Sequence, residues 1–167
     1  MAGNAYLYRM PMGIAGAITR PRDATVEPVT LDYQKQFASY GLAGKYVGDK
    51  FVPLASGDTI DKVKGILVRP YPITSYADLA YLGVNVNQVG DNLKRGYICV
   101  KVTAGTAPSA KKGDPIYVRV AAGTTGSPVG TFVLTPDATA ENTPQLPNAE
   151  LMGPGEADGR VEIAYNI

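Results

Sequence analysis

The stretch GYICVKVTAGTAPSAKKGDPIYVRV, residues 96–120, decides the fold class. Ile98, Val100 and Val102 alternate with Tyr97, Cys99 and Lys101, and Ile116, Val118 and Val120 alternate with Tyr117 and Arg119. A period of two sends successive side chains to opposite faces of a strand, so each run predicts a half-buried strand with one aliphatic face. The other face carries tyrosine with Lys101 and Arg119, whose apolar stems can lie along a sheet while their charges stay in water. Small and polar residues link the two runs, so the stretch predicts a β-hairpin with Lys111 and Lys112 at its tip.

The same pattern extends outward in both directions. Tyr46-Val47 and Phe51-Val52 flank Gly48 and Asp49, the layout of a tight hairpin. Ser56-Gly57-Asp58-Thr59 predicts a further turn. Gly65 to Arg69 predicts a buried strand stopped by Pro70 and Pro72, because proline offers no amide to a ladder and holds its predecessor extended. Thr131 to Thr135 reads as a weak strand and Pro136 to Pro147 as a loop. At the end, Asp158-Gly159 turns the chain into a strand that runs to the last residue, with Val161, Ile163, Tyr165 and Ile167 on one face. Leu31, Gln34, Phe37 and Tyr40 have the spacing of a short helical turn, with a loop as the alternative, and Ile73 to Leu93 reads as an excursion from the sheet.

The chain has 167 residues, enough for one domain with an ordinary core. Its 19 glycines and 13 prolines imply many turns and few long helices, so the expected class is all-β. Residues 1–28 show no regular aliphatic period and are punctuated by Pro11, Pro21 and Pro28, which predicts an extended N-terminal arm lying on another surface. Residues 29–167 are then the β domain. Met10 to Thr19 is uncharged, but Pro11, Gly13 and Gly16 break any helix of the kind an export signal requires. No segment approaches the ~20 apolar residues that span a bilayer.

Sixteen basic residues against fifteen acidic leave a net charge of +1, so no global field draws the chain to nucleic acid or to an anionic membrane. The absence of histidine removes the side chain that most often serves as acid, base and metal ligand near neutrality. Cys99 is the single cysteine, which rules out an intrachain disulfide, and with only Lys101 beside it the thiol reads as a small strand residue. Gly153, Gly155 and Gly159 lack the spacing of a phosphate loop. Glu141, Glu150, Glu156 and Glu162 fall in turns or at solvent-facing strand positions, and neither Asp91 nor Glu156 with Asp158 matches a calcium-loop spacing. The expectation is no enzyme activity, no metal and no cofactor. Eleven tyrosines without a tryptophan point instead to contacts between proteins. The interface candidates are Tyr6, Tyr8, Met10, Met12 and Ile14 in the arm, Tyr76 and Tyr81 in the excursion, and Lys111 and Lys112 at the hairpin tip.

Several motifs together are similar to one family. Tyr8-Arg-Met-Pro-Met-Gly-Ile, Gly65-Ile-Leu-Val-Arg-Pro-Tyr-Pro, Leu93-Lys-Arg-Gly-Tyr-Ile-Cys-Val-Lys, Gly113-Asp-Pro-Ile-Tyr-Val-Arg-Val, Met152-Gly-Pro-Gly and Gly159-Arg-Val-Glu-Ile-Ala-Tyr-Asn-Ile resemble the structural cement proteins that decorate tailed-phage capsids. The resemblance runs from about residue 6 to the end. It implies a jelly-roll or β-barrel-like subunit, with no catalytic residues, that assembles as a homo-oligomer outside the major capsid protein shell and bridges capsomers. A homotrimer is favoured over a homodimer, with the outer surface of the virion as the location and no direct contact to nucleic acid or membrane. The rival readings are a tail or baseplate module and a carbohydrate-binding β domain.

Overall fold

The computed structural model describes residues 12–70 and 89–167. The chain is all-β, with strands β1 (Thr25–Leu31), β2 (Ala43–Val47), β3 (Lys50–Pro53), β4 (Gly65–Val68), β5 (Val89–Lys101), β6 (Pro115–Val118), β7 (Phe132–Val133), β8 (Gln145–Leu151) and β9 (Arg160–Tyr165). Helical structure among the described residues is limited to three-residue 3₁₀ turns, such as Pro21–Asp23 and Ala107–Ser109. The strands form one hydrogen-bonded order, β1-β3-β2-β4-β5-β9-β8-β6-β7, and β1 also pairs with β5. That extra pairing closes β1, β3, β2, β4 and the first half of β5 into a five-strand ring. The second half of β5 continues into an open sheet with β9, β8, β6 and β7.

The buried apolar residues form two clusters. Val29, Leu31, Phe51 and Leu67 from the ring strands pack with Phe37, Tyr40 and Leu42. Gly44 is required here for space, because a Cβ would strike the rings of Phe51 and Phe37. The larger cluster joins Ala43, Ile66, Val68 and Leu93 of the ring to Ile98, Val100, Ile116, Val118, Leu146, Leu151, Val161 and Ile163 of the open sheet. Alternation along β4 divides the two, with Ile66 and Val68 in one cluster and Leu67 in the other. β5 changes neighbours at Gly96, where φ is +140° and a Cβ would lie 3.0 Å from the Cα of Ala24. Arg95 pairs with Thr25 of β1, and Gly96 pairs with Tyr165 of β9.

Several expectations hold in register and burial. Ile98, Val100, Ile116 and Val118 are fully buried while Lys101 is exposed. β2 and β3 form the tight hairpin around Gly48 and Asp49, and all four residues of β4 are buried.

Others are corrected. The stretch 96–120 is not a hairpin: β9 and β8 intervene between β5 and β6, because the aliphatic faces pair with more distant partners than the linker suggests. The helical alternative at Leu31 to Tyr40 gives way to turns, with Phe37 and Tyr40 buried in the ring cluster. β5 begins at Val89, inside the expected excursion, and β8 begins at Gln145, inside the expected loop, with Pro147 tolerated within that strand. The final strand stops at Tyr165, so Ile167 is 54% exposed rather than on the buried face. Arg119 does not keep its charge in water. Its guanidinium bonds both oxygens of Asp137 at 2.6 and 2.9 Å, and its Nε donates to Ser127 Oγ. This pins the long connection after β6, where the fork geometry of arginine matches a carboxylate.

Two outcomes follow from this packing. Val118→Asp abolishes folding, because an unpaired buried carboxylate costs several kcal/mol against a total of ~5–15 kcal/mol, and the loss shows in circular dichroism and proteolysis. In the turn before the 3₁₀ segment Ile60–Lys62, burial pushes the Asp58 carboxyl up, but hydrogen bonds from the Lys45 ammonium and the Ala55 amide outweigh it and hold the group below its ordinary range. A depressed folded-state value gives stability that is fully present above the unfolded value and is lost as pH falls through the folded one. Asp58→Asn therefore lowers the urea midpoint near neutrality, and its gap to wild type closes as the pH drops below about 4.

Candidate functional site

The segment before β1 lies against the free edge of β5. The Gly16 amide donates to the Cys99 carbonyl at 2.8 Å, the Cys99 amide to Ala17 at 2.9 Å, and the Thr19 amide to Tyr97 at 3.1 Å. Ile18 and Ile98 form an antiparallel bridge. On its other side Gly16 accepts from the Arg69 amide at 2.8 Å, so the segment is wedged between the end of β4 and the second half of β5. The fit depends on two glycines meeting face to face. A Cβ on Gly16 (φ +87°) would lie 2.6 Å from Tyr40 Cβ and 3.1 Å from the Gly41 amide, and Gly41 (φ +77°) is crowded by Gly16 in return.

Charged side chains complete the clamp. Arg69 Nε donates to the Ala15 carbonyl at 3.1 Å, and Arg160 Nη1 donates to the Gly13 carbonyl. Thr19 Oγ1 donates to Glu162 Oε1 at 2.6 Å, while Arg20 reaches Glu162 Oε2 at 3.2 Å and stacks 3.9 Å over the Tyr97 ring. The Arg20 side chain is 43% exposed, so its ion pair contributes about 0–1 kcal/mol, and the backbone ladder carries more of the fixation. The expected arm boundary at residue 28 falls inside β1, and residues 16–19 act as an added edge strand of the β domain.

Among the interface candidates, Met12 is half-buried and Ile14 is 37% exposed at the outer end of this clamp. Lys111 and Lys112 are exposed in the turn before β6, where the Lys111 amide donates to Asp114 Oδ2 and the Gly113 amide to the Leu151 carbonyl. The lysine pair and the arm pair thus sit in different turns. Tyr6, Tyr8, Met10, Tyr76 and Tyr81 lie outside the described residues. Residue-level reading missed the clamp itself, meaning Gly16 with Gly41, Arg69, Arg160 and Glu162. Gly16 was legible only as a helix breaker, and the others carry no local signal because their partners are remote in sequence.

The electrostatics are those of structural pairs. Hydrogen bonds from Arg119 and Arg160 hold the Asp137 and Asp158 carboxyls below their ordinary range, which favours the ionised form that a general acid must avoid. Burial pushes the Cys99 thiol up to about 12, far from the thiolate that nucleophilic chemistry needs. Among the described residues no cluster of acidic or cysteine side chains could hold a metal ion, and no helix is long and apolar enough to cross a membrane.

The glycine crossing gives a direct test of the clamp. Gly16→Ala pushes Tyr40 and Gly41 away from the segment and loosens residues 13–19, so limited proteolysis should cut ahead of Thr25 faster than in wild type while the rest of the sheet stays protected.

A family model described as XM1 gp53 minor capsid protein matches residues 3–165. A solved chain from "The capsid of Myoviridae Phage XM1" has the same fold, with a TM-score of 0.66 at 18% identity, covering 99% of this chain and 98% of that one. No curated protein matches in sequence. Because the family match spans nearly the whole β domain and the clamped segment, the chain belongs to the XM1 gp53 minor capsid protein family and is a bacteriophage capsid structural protein.

Proposed function

We propose that the protein is a head decoration protein that binds the outside of the major capsid protein shell as a homo-oligomer, a trimer in preference to a dimer. In this role it bridges capsomers and stabilises the expanded, DNA-filled capsid. The observation that carries this reading is the clamped segment, which fixes residues 16–19 on β5 and leaves Ile14 exposed and Met12 half-buried at its end. A chain held by backbone bonds at one end and apolar at the other is suited to extend onto a neighbouring subunit. Proline at 11 and 21 limits the entropy lost when such a segment docks. Several copies engaging one local symmetry axis gain avidity, so each contact can be weak.

The clamp sets where the test should cut. Deleting residues 1–20 would remove an edge strand of the fold, whereas deleting 1–11 keeps every bond described for residues 13–19. The shorter truncation should unfold at the same temperature as the full chain, yet associate less with itself and co-sediment less with expanded heads. Heads lacking the protein should release DNA at a lower temperature. Equal binding by the truncated chain would overturn the role of the arm. Sedimentation with tails and not with heads would overturn the decoration role itself.

A further inference from the structure

A groove of about 350 Å³ opens between the loops at residues 38–42, 101–104 and 125–131. Its polar lining includes Ser39, Thr103, Thr125 and Thr131, and its charged lining is Lys101 alone, with no aspartate, glutamate, asparagine or glutamine. Lys101 ends β5 exposed and forms no ion pair among the described residues. Asp158, whose carboxylate feels its field, is already held by Arg160 Nε at 2.7 Å. Thr131 is 8% exposed, and its Oγ1 is buried without a hydrogen-bond partner. Buried hydroxyls are ordinarily satisfied, so this one is a donor that nothing in the described fold uses.

We propose that this groove receives the carboxylate of an aspartate or glutamate side chain from a shell subunit, an inference that rests on the capsid-binding reading above. The lining offers an ammonium and several hydroxyl donors but no carboxylate or side-chain amide acceptor, which suits an anion that only accepts. A nucleic-acid backbone needs a run of cations rather than one lysine. The groove also lies next to the crossing of Gly16 with Gly41, so it adjoins the clamped segment.

The test uses the full-length protein and purified expanded heads that lack it. Lys101→Glu and Lys101→Gln change an exposed side chain and should leave thermal unfolding unchanged. The first should weaken head binding by about tenfold or more and the second by less, as expected where a like charge replaces a complementary one. Thr131→Val keeps the volume, removes the donor and should weaken binding by a smaller factor. A carbodiimide, which joins an amine to a carboxylate in direct contact, should link Lys101 of the bound wild-type protein to an acidic residue of the shell protein. If wild type binds heads, Lys101→Glu binds equally well and no such cross-link forms, the groove proposal is overturned while decoration stands. If wild type does not bind heads, the decoration reading fails and the groove proposal falls with it.

Discussion

The backbone of β5 must satisfy its amides and carbonyls along thirteen residues while changing partners halfway, and the rest of the molecule is arranged around that requirement. Its first half is flanked by β1 and β4, its second by β9 and the Gly16–Thr19 segment. The change is possible because Gly96 takes a backbone conformation that other residues rarely adopt, with the Ala24 backbone packed against the space a Cβ would need. Without the switch the ring could close, but the open sheet would have no strand to build upon. The single hydrogen-bonded order of nine strands is therefore a consequence of one strand serving two layers.

How much was legible in the sequence follows from how local each signal was. Alternation at Ile98, Val100, Ile116 and Val118 reports burial of one face directly, and those residues are buried as expected. Alternation is silent on which strand lies alongside, so β5 and β6 read as neighbours although two strands separate them. Strand beginnings at Val89 and Gln145 are hidden because β5 opens Val-Gly-Asp-Asn and β8 opens Gln-Leu-Pro-Asn, neither of which alternates apolar with polar residues over a full strand. The tyrosine signal pointed to protein contacts without locating them, and Tyr46 shows why. Its hydroxyl donates to Glu27 and accepts from the buried Asn92, so it belongs to the polar network of the ring. The clamp on the arm was invisible for a further reason, since a pair of glycines in contact leaves no residue pattern at either position.

The clamp also separates what must be kept from what is free to vary. Arg69 and Arg160 grip carbonyl oxygens of Ala15 and Gly13, which every residue possesses, so these two grips do not depend on the side chains of the segment, whereas Gly16 must be small and Thr19 adds its own bond to Glu162. Met12 and Ile14 can then vary without disturbing the hold on β5. Among the charged groups, Arg119 with Asp137 ties down the connection beyond β6 in a comparable way, and its side chain is 11% exposed. Arg69, Arg160 and Arg119 thus fasten irregular chain to the sheets.

The shared strand has a consequence for the order in which the chain takes shape during synthesis. A ribosome releases β1 to β4 first, yet their ring has no closing strand until residues 89–95 emerge. The following residues of β5 then wait for β9, at residues 160–165. The edge formed by residues 16–19 can settle only once Tyr97 and Cys99 are in place. Such distant pairings slow folding, because loop closure must be completed before any contact rewards it. The nascent protein consequently carries an open ring until residues 89–95 emerge and an unpaired second half of β5 until β9 follows, so the two layers close at separate stages of translation.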